Sequence, residues 1–234
     1  MSLTRRPRVV TPFVLVLAGA TALLAQNAQQ NAADAERLIK ALDIHAGSVV
    51  GEIGAGDGAL TMTMAKAVGS AGRVFSNELN TQRLDEVGKR AANAGITNVT
   101  LVEGKEAETN FPDQCCDAIF MRNVYHHFED PAAMNASLWK ALRPGGRLAV
   151  MDFGPPPGAE SDTPAGRSKD GHHGITPPTL ERELKAAGFE TVSSTEIERR
   201  VFMVVARRPR VPEARLPSRR GRPGGSLTRL AAIR

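Results

Sequence analysis

Cysteine is almost missing: the chain of 234 residues has two, Cys115 and Cys116, side by side. Adjacent Cα atoms lie about 3.8 Å apart, below the ordinary disulfide range, so a bond between them would be strained. There is no CxxC spacing and no second pair to hold a metal. The two read as packing residues just ahead of a strand. The middle of the chain also lacks excess positive charge. Arg5, Arg6 and Arg8 stand at one end, and from 207 to 234 nine arginines face a single acid, Glu213. Removing +3 at one end and +8 at the other from the net +5 leaves the middle near −6. A core that binds nucleic acid carries the opposite sign, so any contact with a membrane or polyanion falls to the basic tail. Long apolar runs are scarce as well. The one from Val9 to Ala25 falls somewhat short of the ~20 residues of a spanning helix.

That run lies behind arginines and ahead of a Gln/Asn/Ala stretch. This is the layout of a secretory signal cut after Ala25, or of an uncleaved membrane anchor. Positive-inside logic leaves the arginines in the cytoplasm and exports the rest, to the periplasm in a bacterium. A cytoplasmic place follows if the segment is not a working signal. The chain thus divides into a leader and polar linker (1–33), one domain (34–208) and a basic, disordered tail (209–234).

What is present is concentrated between Ser48 and Asn80. A short apolar strand, Val49 to Ile53, runs into the turn Gly54-Ala55-Gly56-Asp57-Gly58. A helical pattern continues to Val68, and a second strand from Arg73 ends on Glu78. Strand, turn, helix and strand make a right-handed crossover unit with a parallel sheet. The glycines let a ligand approach the backbone, and the first helical turn offers unpaired N–H groups. Glu78, about 20 residues past the glycines, is placed to accept hydrogen bonds from ribose hydroxyls. The unit is built to hold a nucleoside. Gly54-x-Gly56-x-x-Ala59 satisfies a dinucleotide fingerprint loosely, but Asp57 in the turn would repel a pyrophosphate and suits a ligand carrying an ammonium group.

Further along, Asp34 to Ile44 has one apolar helical face. Asn80 or Thr81 caps a helix closed by Gly95, and Asn98 to Val102 forms a third strand. Asp117 to Arg122 is a fourth strand, followed by Asn123-Val124-Tyr125-His126-His127. Ligands of open α/β sheets bind at that carboxyl edge. A helix from Pro131 stops at R-P-G-G before a fifth strand ending on Asp152. Gly154 to Gly174, polar and rich in proline and glycine, reads as a mobile lid. A helix from Pro177 and an alternating terminal hairpin complete the domain.

The run Glu52-x-Gly54-x-Gly56-x-Gly58 resembles motif I of the class I methyltransferases that use S-adenosylmethionine (SAM). The passage FPDQCCDAIFMRNVYHHFEDP and the later LRPGGRLAVMDF resemble the type 11 (UbiE-like) small-molecule methyltransferases. The resemblance covers roughly Asp34 to Arg208. It implies a Rossmann-like, doubly wound α/β fold whose seven strands run in the order 3-2-1-4-5-7-6, the last antiparallel. It implies SAM as cofactor, with Glu52, Gly54, Ala55, Gly56, Asp57, Gly58, Glu78 and Asn123 around it. In the family an acid after strand three meets the adenine amino group. Lys105 occupies the usual slot here and Glu106 substitutes for it.

The acceptor is read as a small or lipid-like molecule. His126 and His127 are the candidate general bases at neutral pH. In extended chain they would point oppositely, which favours one of them, His126, for the cleft. His126 or His127, His172 or His173 and Asp152 are the residues a metal would share, and none is assigned. Three alternatives stay open. An NAD-dependent oxidoreductase would share the glycine turn and Glu78, but Tyr125 is followed by Glu129 where a short-chain dehydrogenase has lysine. A nucleic-acid adenine methyltransferase fits EIGAGDGALT but not the acidic core, nor Asn123-Val124-Tyr125-His126, which lacks the proline of N-x-P-Y. The third is a SAM-binding protein without catalysis.

Overall fold

The computed structural model describes residues 13–159, 163–167 and 173–210, with side chains from 25 onward. The N-terminal arginines, His172 and the tail beyond 210 lie outside the described residues. The elements in order are α1 (Phe13–Leu42), β1 (Val49–Ile53), α2 (Ala59–Val68), β2 (Arg73–Glu78), α3 (Thr81–Asn93), β3 (Val99–Glu103) and β4 (Cys116–Arg122). A 3-10 turn follows (Tyr125–His127), then α4 (Pro131–Ala141), β5 (Leu142–Phe153), α5 (Pro164–Arg167), α6 (Pro177–Ala186), β6 (Glu190–Glu198) and β7 (Val201–Arg207).

Seven strands form one sheet in the order β3-β2-β1-β4-β5-β7-β6. The first five are mutually parallel and β7 runs antiparallel to both its neighbours. This is the expected α/β, Rossmann-like topology. The central strands are buried on both faces, and side-chain alternation divides them between two cores. Ile119 and Met121 of β4 and Leu148 and Val150 of β5 pack with Leu138 of α4 and Leu180 and Leu184 of α6. Ala118, Phe120, Ala149 and Met151 face the other way, onto Leu38 and Leu42 of α1 and Leu60 and Met64 of α2. Each of the larger side chains contributes about 1.5–3 kcal/mol through burial. A one-residue slip of β4 would move Ala118, Ile119, Phe120 and Met121 to the wrong core.

Two elements differ from the sequence reading. The segment 26–33, expected as a polar linker, belongs to the single helix α1. Its alanines and glutamines are good helix formers, and no glycine or proline interrupts them. Among the described residues no helix is long and apolar enough to cross a membrane. The R-P-G-G segment is not a turn outside the sheet but an excursion within β5: Cys116 pairs Leu142, and Ala118 next pairs Arg147. Cys116 is buried in the core there and Cys115 is half-buried, with both thiols free.

Candidate active site

The carboxyl ends of β1, β2 and β4, with the residues that follow β3, border a cavity of about 700 Å³ at one edge of the sheet. Such a volume suits a ligand of nucleoside size. The glycine turn after β1 forms one wall. Gly56 has φ +56°, and an added Cβ there would meet nothing within 4 Å, so its backbone faces open space. Gly58, at φ +75°, instead lies against the Val87 side chain, which a Cβ would approach to 2.9 Å. One glycine thus leaves room for a ligand and the other lets α3 pack close. Gly54 lies beneath Val124, and Ala55 is buried with its N–H donating to the Asn77 carbonyl.

Glu78 closes this wall. Its Oε2 accepts from the Gly56 N–H at 2.8 Å and its Oε1 from the Asn80 N–H at 3.1 Å. The acid at the tip of β2 therefore clamps the glycine turn, and its remaining lone pairs border the cavity. Glu52 stands deeper, buried at 2% exposure. The Thr61 hydroxyl donates to its Oε2 and is itself bonded to Ser76. Burial pushes the Glu52 carboxyl up to about 8, only partly offset by the Thr61 hydrogen bond and the Arg122 charge. Asp57 turns mostly to solvent, where it accepts from the Ala59 N–H and pairs with Arg90 at 3.3 Å. Lys105 is tied to Glu108 at 2.9 Å, so its charge is matched locally while Glu106 shares the cavity rim. Asn123 also lines the cavity, in a left-handed conformation (φ 57°) with its N–H donating to Met151.

The tandem histidines do not sit in extended chain. They occupy the 3-10 turn after β4, so the rings are not opposed, and their centroids lie 3.9 Å apart. His127 lines the cavity, whereas His126, the one favoured from sequence, is buried at 1% exposure. Asp152 of β5 holds the His126 ring: Oδ1 meets Nδ1 at 2.7 Å, and Oδ2 accepts the His126 backbone N–H at 3.1 Å. On the opposite side His126 Nε2 lies 2.9 Å from Nε2 of His173, and Phe153 stacks on the His173 ring. Burial pushes the His127 pKa below its ordinary value, and its histidine neighbours add to the effect while Asp152 opposes it, which favours the neutral ring.

Sequence reasoning missed three features here. Arg122, read only as the end of β4, lines the cavity and also reaches α1, donating to Asn31 at 2.7 Å and Asp34 at 2.9 Å. Its place at the carboxyl end of a parallel strand was the available signal. Tyr125 is buried, its hydroxyl donating to Glu183 at 3.0 Å and accepting from Asn135 at 2.7 Å. The third is Arg167 of α5, inside the segment read as a mobile lid. It is fully buried and grips Glu183 of α6 with two bonds, at 2.9 and 3.2 Å. That part of the segment is pinned.

Residues 51–150 match the family model described as a methyltransferase domain, of type 11. Over 114 residues the chain is 34% identical to the ubiquinone/menaquinone biosynthesis C-methyltransferase UbiE of Marinomonas sp. (strain MWYL1), covering 48% of this chain and 45% of that protein. The chain therefore spans about half the length of the curated relatives it matches. Among solved structures, a SAM-dependent methyltransferase from Aquifex aeolicus superposes with a TM-score of 0.64 at 22% identity, covering 75% of this chain and 89% of that one. A Bordetella parapertussis chain described as a possible exported protein superposes at 0.62 with 18% identity, over 77% and 67%. These two likenesses establish the fold.

Proposed function

We propose that this chain, which over residues 51–150 belongs to the type 11 family of class I SAM-dependent methyltransferases, moves the methyl group of SAM to a small or lipid-like acceptor. One observation carries the reading: a buried-edge carboxylate, Glu78, is clamped to the Gly56 N–H at the lip of a cavity large enough for a nucleoside. In that arrangement the remaining Glu78 lone pairs accept the ribose hydroxyls. The open face of Gly56 admits the methionine part, Glu52 lies beneath it, and Glu106 and Asn123 border the adenine end. SAM supplies a methyl on a positively charged sulfur, so the protein has mainly to align the acceptor and receive its proton. His127, neutral and on the cavity wall, is the group that receives it. His126 is too enclosed to meet substrate and acts by positioning. Leu79, Val124, Phe128 and Met134 give the cavity apolar lining suited to a lipid-like acceptor, in keeping with the quinone named for the UbiE relative.

Calorimetric titration of the full chain with SAM, S-adenosylhomocysteine and NAD tests the cofactor. Micromolar binding of the two sulfur nucleosides, weakened at least tenfold in Glu78→Ala, is expected. Binding of NAD alone would overturn the reading, and binding of SAM with no transfer to any quinol, phenol or prenyl acceptor would favour a non-catalytic role. The arginines followed by the apolar run to Ala25 support an export or anchoring leader, as does the description of the Bordetella neighbour. The mass of the mature N-terminus after expression in a bacterial host checks this: loss of the first 25 residues supports a cleaved signal, and an intact chain in the soluble cytoplasmic fraction refutes both forms of leader.

A further inference from the structure

The histidines gathered behind and beside His127 do more than a single base requires. One nitrogen from each of His126, His127 and His173 falls within 4.8 Å of the others. His126 comes from the turn after β4 and His173 from a segment 47 residues away, yet their Nε2 atoms face each other at 2.9 Å. Behind His126, the Asp152 carboxylate takes the Nδ1–H, which fixes the tautomer and leaves the Nε2 lone pair pointing into the cluster. Asp152 is itself held by the backbone N–H groups of His126 and Phe153, at 3.1 and 2.9 Å. A carboxylate that orients an imidazole whose other nitrogen faces further imidazoles is the arrangement found behind metal-bound histidines.

We propose that His126, His127 and His173 bind a divalent transition ion of the zinc class. Three imidazole nitrogens with no thiolate and no direct carboxylate suit zinc, iron(II), cobalt(II) or nickel(II) and not magnesium or calcium. For metal–nitrogen bonds of about 2.0–2.1 Å in tetrahedral geometry the donors stand about 3.4 Å apart. The observed spread brackets that value, and rotation of the accessible His127 and His173 rings closes it while Asp152 keeps His126 fixed. Three protein ligands leave a fourth position open, as in catalytic rather than structural sites. His127 lies on the cavity wall, so that position gives onto the space assigned to the methyl acceptor.

This extends the proposed function, on which its catalytic meaning rests, to a class of acceptor: one with a phenolic, enolic or carboxylate oxygen able to ligate the ion. With an ion bound, the His127 lone pair is committed to the metal. The ion, as a Lewis acid, would lower the pKa of the ligated O–H so that its proton leaves to solvent, and would hold the resulting anion in place of the base role that His127 fills in the metal-free site.

The test uses the full chain, stripped with chelator and titrated with cobalt(II) and, separately, zinc(II). Cobalt is expected to give visible d–d bands of a four- or five-coordinate site saturating at one equivalent. Zinc should displace it with micromolar or tighter affinity. The double variant His127→Ala/His173→Ala should lose the bands and weaken zinc at least a hundredfold while keeping its circular dichroism spectrum. His45→Ala, at an exposed position outside the cluster, should match wild type. Absence of a saturable cobalt spectrum, or zinc binding that survives the double variant, would overturn the proposal. That outcome would leave the cluster as a hydrogen-bonded chain running from Asp152 through His126 to His173. Titration of the same preparations with S-adenosylhomocysteine separates this failure from failure of the cofactor reading.

Discussion

Glu52 offers the sharpest quantitative consequence of the site. Its carboxyl is 2% exposed, and burial raises its pKa from an ordinary 4.5 to about 8. The folded protein therefore holds a proton on Glu52 that the unfolded chain has released throughout the interval between those values. A group bound more tightly to its proton in the folded state contributes stability at low pH, and that stability is lost as pH rises through the folded value. At about 1.36 kcal/mol per pKa unit, and allowing for incomplete titration at either end, roughly 2.5 kcal/mol of folding stability disappears between about pH 5 and pH 7. Glu52→Gln removes the ionisable group but keeps the shape and an acceptor for the Thr61 hydroxyl. Urea unfolding of both proteins without ligand, at intervals between these pH values, gives a difference from which every other titrating group cancels. The variant should gain about 2.5 kcal/mol over wild type across the interval, again from the linkage relation. A difference that stays flat with pH would mean that Arg122 keeps Glu52 ionised in the folded protein, and the reasoning would fail.

The same carboxyl links ligand binding to protons: the ammonium group of SAM favours ionised Glu52, so affinity should rise toward pH 8 in wild type and be flatter in Glu52→Gln. Calorimetry in buffers of different ionisation enthalpy detects the released proton. Gly58→Ala adds a Cβ against Val87 at a left-handed position and should cost about 2–4 kcal/mol in stability. Gly56→Ala, with open space around it, should cost about 1–2 kcal/mol from backbone strain alone. Its larger effect should be on binding, with S-adenosylhomocysteine affinity falling more than tenfold. Equal stability losses in the two variants would contradict the division of labour between these glycines. Arg167→Ala leaves the half-buried Glu183 carboxylate with only the Tyr125 hydroxyl among the partners described and should destabilise the protein by about 3 kcal/mol, and hydrogen exchange should then rise first in residues 163–167 and 173–176. Exchange unchanged there would show that the ion pair does not pin the segment.

Much of the fold was legible because its signals are local. The glycine turn, the acid ending β2, the Asn80 cap of α3 and the start of α4 at Pro131 each follow from a few adjacent residues. The strand order came with the resemblance rather than from periodicity. What escaped the sequence depended on contacts between distant segments. No local pattern distinguishes extended chain from a 3-10 turn over Tyr125–His127, and that single difference exchanged the places of His126 and His127. The approach of His173 to His126 is purely tertiary. The polarity of the segment containing Arg167 argued against burial, since composition does not reveal that Glu183 lies opposite to match the charge. In α1 the change from apolar to polar composition looked like a boundary, but helix continuity depends on backbone propensity, which does not change there.

The position of β7 bears on the order in which the molecule can be made. It is the last strand among the described residues, yet it lies between β5 and β6, pairing with both. Until Arg207 has been synthesised, β5 has an open edge and β6 has nothing in the sheet to join. A nascent chain can assemble the parallel half early, but the sheet stays unsealed until nearly all of the domain is present. Completion of the sheet thereby waits for its most C-terminal described strand. A protein truncated before Val201 would keep a sticky edge along β5 instead of a smaller complete sheet.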